Sequence, residues 1–144
     1  MAVTVPEMLK MSQAQLDDLF TQSPVGEIPK GEAKGTAIVA PGTTYTQDIA
    51  NFINHFAWQG KVFDPAKGAL RNKISPFGLN AIIAKVYKGS SWMDNKECIV
   101  LDYSKTSTVA QWIRDEIRQI APKTYLGKVY WEKKRLIDFA LQFE

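Results

Sequence analysis

The chain has 144 residues, of which 45% are apolar and 23% are charged, as in an ordinary soluble globular protein. Its 18 basic and 15 acidic residues leave a net charge of +3, which is too small to indicate nucleic acid as a partner. A single cysteine, Cys98, excludes an intrachain disulfide and a two-cysteine zinc site, and the single histidine, His55, removes most metal centres.

The first third of the chain is predicted to hold two helices and one short strand. A helix is expected from Pro6 to Thr21, ended by Ser23-Pro24, followed by a loop over 24–35 and a strand over 36–40. A second helix is expected near 46–56, where apolar residues recur at helical spacing after Thr46, a good N-cap. The N-terminus has no cationic region before an apolar core, and no window reaches the ~20 apolar residues that cross a bilayer. A cytoplasmic protein without membrane insertion is expected.

From Trp58 onward the sequence consists mostly of short segments rich in aromatic or β-branched residues, separated by Gly, Pro, Asp-Asn or Lys clusters. Such segments indicate strands, and closure into an antiparallel barrel would avoid long exposed edges. One helix is predicted to interrupt them near 108–120, because apolar residues from Val109 to Ile120 follow the helical period. A strand interpretation of 112–118 competes with it, since Ile113, Asp115 and Ile117 alternate with polar residues. The fold class is therefore mainly β (α+β by content), in one domain over 1–144, with a helical segment at 1–24 and the barrel at 32–144.

No catalytic signature is present, and the candidate acids lie on predicted strands. Asp102 and Asp138 each belong to the smaller-residue, semi-apolar face of a strand. If those faces point inward, burial raises the pKa of each acid unless a cation pairs with it. Candidate cations are Arg71, Arg114, Arg118 and Lys128. If those faces point outward, both acids are solvated, and alternation alone does not decide between the two.

Aromatic residues with polar tips recur through the β-rich region and suit the wall of an apolar ligand pocket, although they equally suit ordinary sheet packing. Together with two cations that could orient a polar head, the predicted ligand-binding residues are Tyr87, Trp92, Tyr103, Arg114, Tyr125, Lys128, Tyr130 and Trp131.

Three segments carry a resemblance to a known family: WQGKVFD (58–64), IVLDYS (99–104) and IRDEIRQIAPKTYLGKVYW (113–131). They resemble bacterial lipocalin-like (calycin-like) small barrels of uncharacterised function, of the GXWXG type. Trp58 and Gly60 match the motif, while Phe56 stands where its first glycine would be. The resemblance implies a lipocalin-like barrel and a small apolar ligand, and it supplies no catalytic residues.

The leading functional hypothesis is a protein without cofactor that binds a small hydrophobic molecule, such as a fatty acid, isoprenoid, polyketide or aromatic metabolite. A second hypothesis is a cofactor-independent cyclase, isomerase or hydratase that uses Asp102 or Asp138 with Tyr103. A third is an interaction module, including a homodimer, that uses the apolar side of the N-terminal helix. The residues of that side are Met8, Met11, Leu16 and Phe20.

Overall fold

The computed structural model describes residues 3–40, 58–74, 79–106 and 111–144. Within these ranges two short helices precede eight strands. The helices are α1 (Val5–Met8) and α2 (Gln13–Gln22), and the strands are β1 (Gly31–Ile38), β2 (Trp58–Asp64), β3 (Ala69–Ile74), β4 (Leu79–Ser90), β5 (Glu97–Asp102), β6 (Ile113–Ala121), β7 (Thr124–Trp131) and β8 (Lys134–Phe143).

The strands form one closed antiparallel barrel in chain order. Each strand pairs with the next along the chain, and β8 returns to pair with β1. Closure gives each of the eight described strands two neighbours, so none of them forms an edge of the sheet. The prediction of a mainly β, antiparallel closed barrel is confirmed.

The strand period of two divides the buried residues into an inner and an outer cluster. On β5, Ile99 and Leu101 point into the barrel, whereas Cys98 and Val100 point outward beneath the helices. Burial raises the pKa of the Cys98 thiol to about 12, which keeps it protonated and inert at neutral pH.

The N-terminal helices cover the outer face of the barrel. The predicted helix over 6–21 is in fact two helices, because Ser12 caps α2 with a capping box to Gln15. Met8, Leu16 and Phe20 are fully buried in the outer cluster, so the chain itself covers three of the four apolar side chains considered for a partner. No helix within the described ranges is long and apolar enough to cross a membrane.

The helix predicted near 108–120 is wrong over its described part, which forms strand β6. Ile113 and Ile117 are four residues apart, a spacing that places two side chains on one face of a helix and equally on one face of a strand. Pairing with both β5 and β7 settles the choice in favour of the strand. The helix predicted near 46–56 lies outside the described residues. Strand β1 begins at Gly31, earlier than the predicted strand over 36–40.

Arg118 fixes α2 and the turn between β4 and β5 to the outer face of β6. Its guanidinium pairs with both carboxylate oxygens of Asp94 at 2.7 Å and donates to the Phe20 carbonyl at 3.0 Å. It also donates to the carbonyls of Lys96 and Glu97 and lies over the Phe20 ring. Only 1% of this side chain is exposed, so its partners depend on it for hydrogen bonds.

We expect Arg118→Met to lower the free energy of unfolding by about 3 kcal/mol, because it removes one partner of a largely buried ion pair and leaves several carbonyls unpaired. Urea denaturation followed by circular dichroism measures this change. The control is Arg71→Met, which alters an exposed side chain on β3. It should change the free energy of unfolding by no more than about 0.5 kcal/mol. Equal losses in the two variants would contradict the role of Arg118.

We expect Gly127→Ala to destabilise the barrel by about 1–3 kcal/mol, because a Cβ on Gly127 would overlap the Phe139 ring that covers it. Gly89→Ala on β4 is the matched control, since its new methyl group would meet chiefly the side chain of Val100. Chemical denaturation of both variants provides the comparison. A Gly127→Ala protein as stable as the control would show that the ring moves aside freely.

Candidate functional site

Four polar side chains lie together on the inner face of the barrel. Lys61 on β2 and Asn72 on β3 are cross-strand partners, and Asp115 on β6 pairs with Leu101 on β5, two residues before Tyr103. Each of the four polar residues is at most 4% exposed. We call these four residues the inner polar cluster: Lys61, Asn72, Tyr103 and Asp115.

Lys61 is the centre of the inner polar cluster. Its Nζ donates to Asn72 Oδ1 at 2.6 Å and to the Tyr103 hydroxyl at 2.8 Å, and lies 3.4 Å from Asp115 Oδ2. Asn72 Nδ2 donates to the Tyr103 hydroxyl at 3.0 Å, and that hydroxyl lies 3.3 Å from Asp115 Oδ2, to which it can donate. The ammonium also lies 5.5 Å from the centre of the Phe139 ring, where a cation is attracted.

The two oxygens of Asp115 have different surroundings. Oδ2 faces Lys61 and Tyr103, whereas Oδ1 is buried and has no hydrogen-bond partner among the residues that the structure describes. A buried carboxylate oxygen without a donor costs about 1–3 kcal/mol. The cluster therefore contains one fully covered acceptor to which no described residue donates.

Burial shifts the protonation equilibria of the cluster. It raises the pKa of Asp115 above its ordinary value, against the opposing charge of Lys61. It lowers the pKa of Lys61, although Asp115 counters this shift, and it raises the pKa of Tyr103 well above its usual range. Burial thus favours the neutral form of each of these groups, and the attraction between Lys61 and Asp115 opposes that effect.

The structure separates the predicted ligand-binding residues into two groups. Three lie with the inner cluster of the barrel: Tyr103, Tyr125 and Trp131. The other five lie outside it, on the outer face or in the turn after β4: Tyr87, Trp92, Arg114, Lys128 and Tyr130. The predicted set therefore contains residues from both the inner and the outer face of the barrel, and the sequence pattern did not distinguish the two.

The two predicted acids lie on the outer face, so neither projects into the barrel. Asp102 accepts hydrogen bonds from the Tyr87 hydroxyl at 2.9 Å and from Ser104, and these bonds lower its pKa despite partial burial. Asp138 points from β8 towards α2. Lys128 Nζ donates one hydrogen bond to Asp138 at 2.6 Å and another to Asp17 on α2 at 2.8 Å. Burial raises the pKa of Asp138, and the nearby Lys128 opposes that shift.

Arg114 is also engaged on the outer face. It pairs with Glu116 at 3.1 Å, and its guanidinium lies 4.4 Å from the centre of the Trp92 ring. Glu116 in turn accepts from Ser91 and from the Trp92 backbone, which holds the turn between β4 and β5. Arg114 and Arg118 each pair with a different carboxylate, Glu116 and Asp94 respectively.

Sequence reasoning did not select Lys61, Asn72 or Asp115 as site residues. The signal for Asp115 was present in the alternation of Ile113, Asp115 and Ile117, which the competing strand interpretation contained. The signal for Lys61 was weaker, because a lysine within a strand is ordinarily solvated.

Two clefts open on the surface near the beginning of β1. One, of about 550 Å³, lies along 30–34 and 142–144, and the other, of about 480 Å³, lies beside Phe63 and Arg71. Their lining, as far as the structure describes it, contains no member of the inner polar cluster. Within the same described ranges, no group of three or more acidic, His or Cys side chains is placed to hold a metal ion.

The fold resembles that of a bacterial protein of known structure. A crystal structure of a protein from Thermomonospora curvata superposes with a TM-score of 0.68 at 17% identity, covering 94% of this chain and 89% of that one. At this identity the likeness shows the fold alone. No protein-family model matches the chain, and no curated protein matches it.

We expect Lys61→Met to lower the free energy of unfolding at neutral pH by about 3–5 kcal/mol, because it leaves Asp115 charged and buried without its cation. The loss should be smaller near pH 4. Without Lys61 the pKa of Asp115 in the folded protein rises further, so its protonated form is favoured, and stability is lost as the pH rises through that pKa. Urea titrations at several pH values measure both effects.

The double variant Lys61→Met/Asp115→Leu is the control for this prediction. It should recover most of the lost stability, since an apolar pair of similar volume needs no counter-charge. Additive losses in the double variant would contradict the coupling between the two charges.

Proposed function

We propose that the barrel binds a small, largely apolar molecule in its interior and holds one polar group of that molecule at the inner polar cluster. The observation that carries the proposal is Asp115 Oδ1, a buried acceptor without a protein donor in an otherwise hydrogen-bonded cluster within the described residues. A ligand hydroxyl or N–H would supply that donor. This chemistry fits a fatty alcohol, an isoprenoid alcohol, a polyketide or a hydroxylated aromatic metabolite.

The wall around the cluster supports an apolar ligand. Strand residues with branched or aromatic side chains make up most of the inner cluster, and small-molecule sites are typically apolar with a few polar groups that fix orientation. Eight-stranded barrels have an interior that either fills with side chains or holds one small ligand. Trp131 and Tyr125 are predicted to be wall residues of this site.

Residues of the segment that precedes β1 cover one end of the barrel. Val25 and Ile28 pack against the inner cluster, and the Tyr125 hydroxyl donates to the Glu27 carbonyl at 2.6 Å. The rings of Phe63 and Tyr125 each contact Phe143, with centroid separations of 5.7 and 5.6 Å. These contacts line that end of the barrel with apolar and aromatic side chains.

We also propose that the chain is a lipocalin-like barrel related to the GXWXG type. Its up-and-down order of eight antiparallel strands is the topology of lipocalins, many of which bind apolar ligands. The motifs that carry the resemblance lie at structurally central positions, since WQGKVFD contains Lys61 and IVLDYS contains Tyr103.

The proposal is tested by displacement of a fluorescent apolar probe, anilinonaphthalene sulfonate, with dodecanol, dodecanoic acid and dodecane. We expect dodecanol to bind most tightly, because its hydroxyl can donate to Asp115 Oδ1, and Asp115→Leu to weaken it by about 10- to 100-fold, as for loss of a charged hydrogen bond. Mass spectrometry of the protein purified from cells would identify a natural ligand.

Asp102→Asn is the matched control, because it alters an acid on the outer face. It should leave the affinity for dodecanol unchanged. Failure of all three compounds to bind, together with no co-purified molecule, would refute a binding function inside the barrel.

A further inference from the structure

We infer that the outer face of the barrel over β4 to β7 binds an uncharged oligosaccharide. Four residues carry this site, and we call them the outer aromatic strip: Tyr87, Trp92, Asp102 and Arg114. Tyr87, Trp92 and Arg114 are among the predicted ligand-binding residues that lie outside the barrel, so a ligand in the interior would not contact them. The inference goes beyond the proposed function and does not depend on it.

The outer aromatic strip places an acid and a base between two aromatic rings. Tyr87 lies on β4, and Asp102 on β5 is directly opposite Arg114 on β6. Trp92 belongs to the turn after β4, and its ring lies over Arg114 and against Tyr130 on β7. Two to three strand spacings, roughly 10–14 Å, therefore separate the two rings. That span is longer than one sugar ring and suits a short oligosaccharide.

Both rings are held in place while a large part of each stays exposed. Trp92 is 47% exposed, although the Arg114 guanidinium lies 4.4 Å from its ring centre and the Tyr130 ring meets it at 5.1 Å. Tyr87 is 40% exposed, and its hydroxyl donates to Asp102 Oδ2 at 2.9 Å. A ligand that stacks on these rings does not have to order them, which favours binding.

The charges at the centre of the strip balance. Arg114 pairs with Glu116 at 3.1 Å, and Asp102 is the cross-strand partner of Lys85 on β4. Together these four side chains carry no net charge, so their field attracts neither an anion nor a cation. A phosphate group at the centre would meet the Asp102 carboxylate, and an ammonium group would meet the Arg114 guanidinium. The charge pattern therefore favours an uncharged polar ligand.

Hydroxyl groups match the acid and the base between the rings. The guanidinium of Arg114 only donates hydrogen bonds and the ionised Asp102 only accepts them, whereas a hydroxyl group does both. Neighbouring hydroxyls of a sugar can therefore bond to both side chains while the apolar C–H faces of the sugar rings stack on Trp92 and Tyr87. A protein partner fits less well, because protein interfaces have an apolar centre and a polar rim, the reverse of this order.

The test is isothermal titration calorimetry of the full chain with four neutral hexasaccharides: maltohexaose, cellohexaose, xylohexaose and mannohexaose. We expect at least one of them to bind. Trp92→Ala and Tyr87→Ala should each raise its Kd by about 10-fold or more, as for truncation of an aromatic residue that dominates a binding surface. Leu9→Ala is the control, because it shortens an exposed apolar side chain on the N-terminal segment, and it should leave the Kd unchanged.

Thermal unfolding followed by circular dichroism establishes that each variant is folded. Tyr87→Ala keeps the test decisive if Trp92→Ala does not fold, because Tyr87 lies on a strand and contacts neither Trp92 nor Tyr130 in the described structure. Dodecanol binding separates this site from the barrel interior. A Trp92→Ala protein that retains dodecanol and loses the hexasaccharide would support a second site on the outer face.

Three results would overturn the inference. The first is failure of all four hexasaccharides to bind, and the second is a Kd that neither ring variant changes. The third is equally tight binding of hexagalacturonate or of a single-stranded thymidine oligonucleotide, which would contradict the uncharged ligand class. Sedimentation velocity covers a second copy of the chain as the occupant: self-association that both ring variants abolish, without sugar binding, would also overturn the inference.

Discussion

The pairing of Lys61 with Asp115 across the barrel interior is the interaction on which the inner polar cluster depends. Removing an ammonium or a carboxylate from water costs several kcal/mol per ion, so neither group is tolerated in this interior alone. Their separation of 3.4 Å, with Asn72 and Tyr103 completing the hydrogen bonds of Lys61, offsets that cost. The two charges come from β2 and β6, which are not neighbours in the sheet, so the pair also links opposite parts of the wall.

Charged residues on the outer face of the barrel attach α2 and the turn between β4 and β5 to the strands. Lys128 lies between Asp17 of α2 and Asp138 of β8, and Arg118 joins the end of α2 to Asp94. Hydrogen bonds from Lys128 lower the pKa of Asp17 despite its partial burial, so this contact is strongest above the acidic range. The outward-facing charged residues on these strands therefore have a structural role, and their neighbours along each strand point into the barrel.

The barrel could be predicted from sequence because seven of its strands carry β-branched or aromatic residues between turn residues. The strand β6 could not be distinguished from a helix, since Ile113 and Ile117 share a face in both structures. Tyr103 was predicted at the site, but Lys61 and Asp115 were not. Alternation defines two faces of a strand, and only the long-range closure of β1 against β8 decides which face is enclosed.

The inner polar cluster is difficult to explain by stability alone. A buried ion pair can often be replaced by apolar residues with no loss or even a gain in stability, and inner-face neighbours such as Ile99 and Leu101 show that this wall accommodates them. The unpaired Oδ1 of Asp115 adds a further cost, within the part of the chain that the structure describes, that no protein contact offsets. Local departures from good packing of this kind concentrate at functional sites.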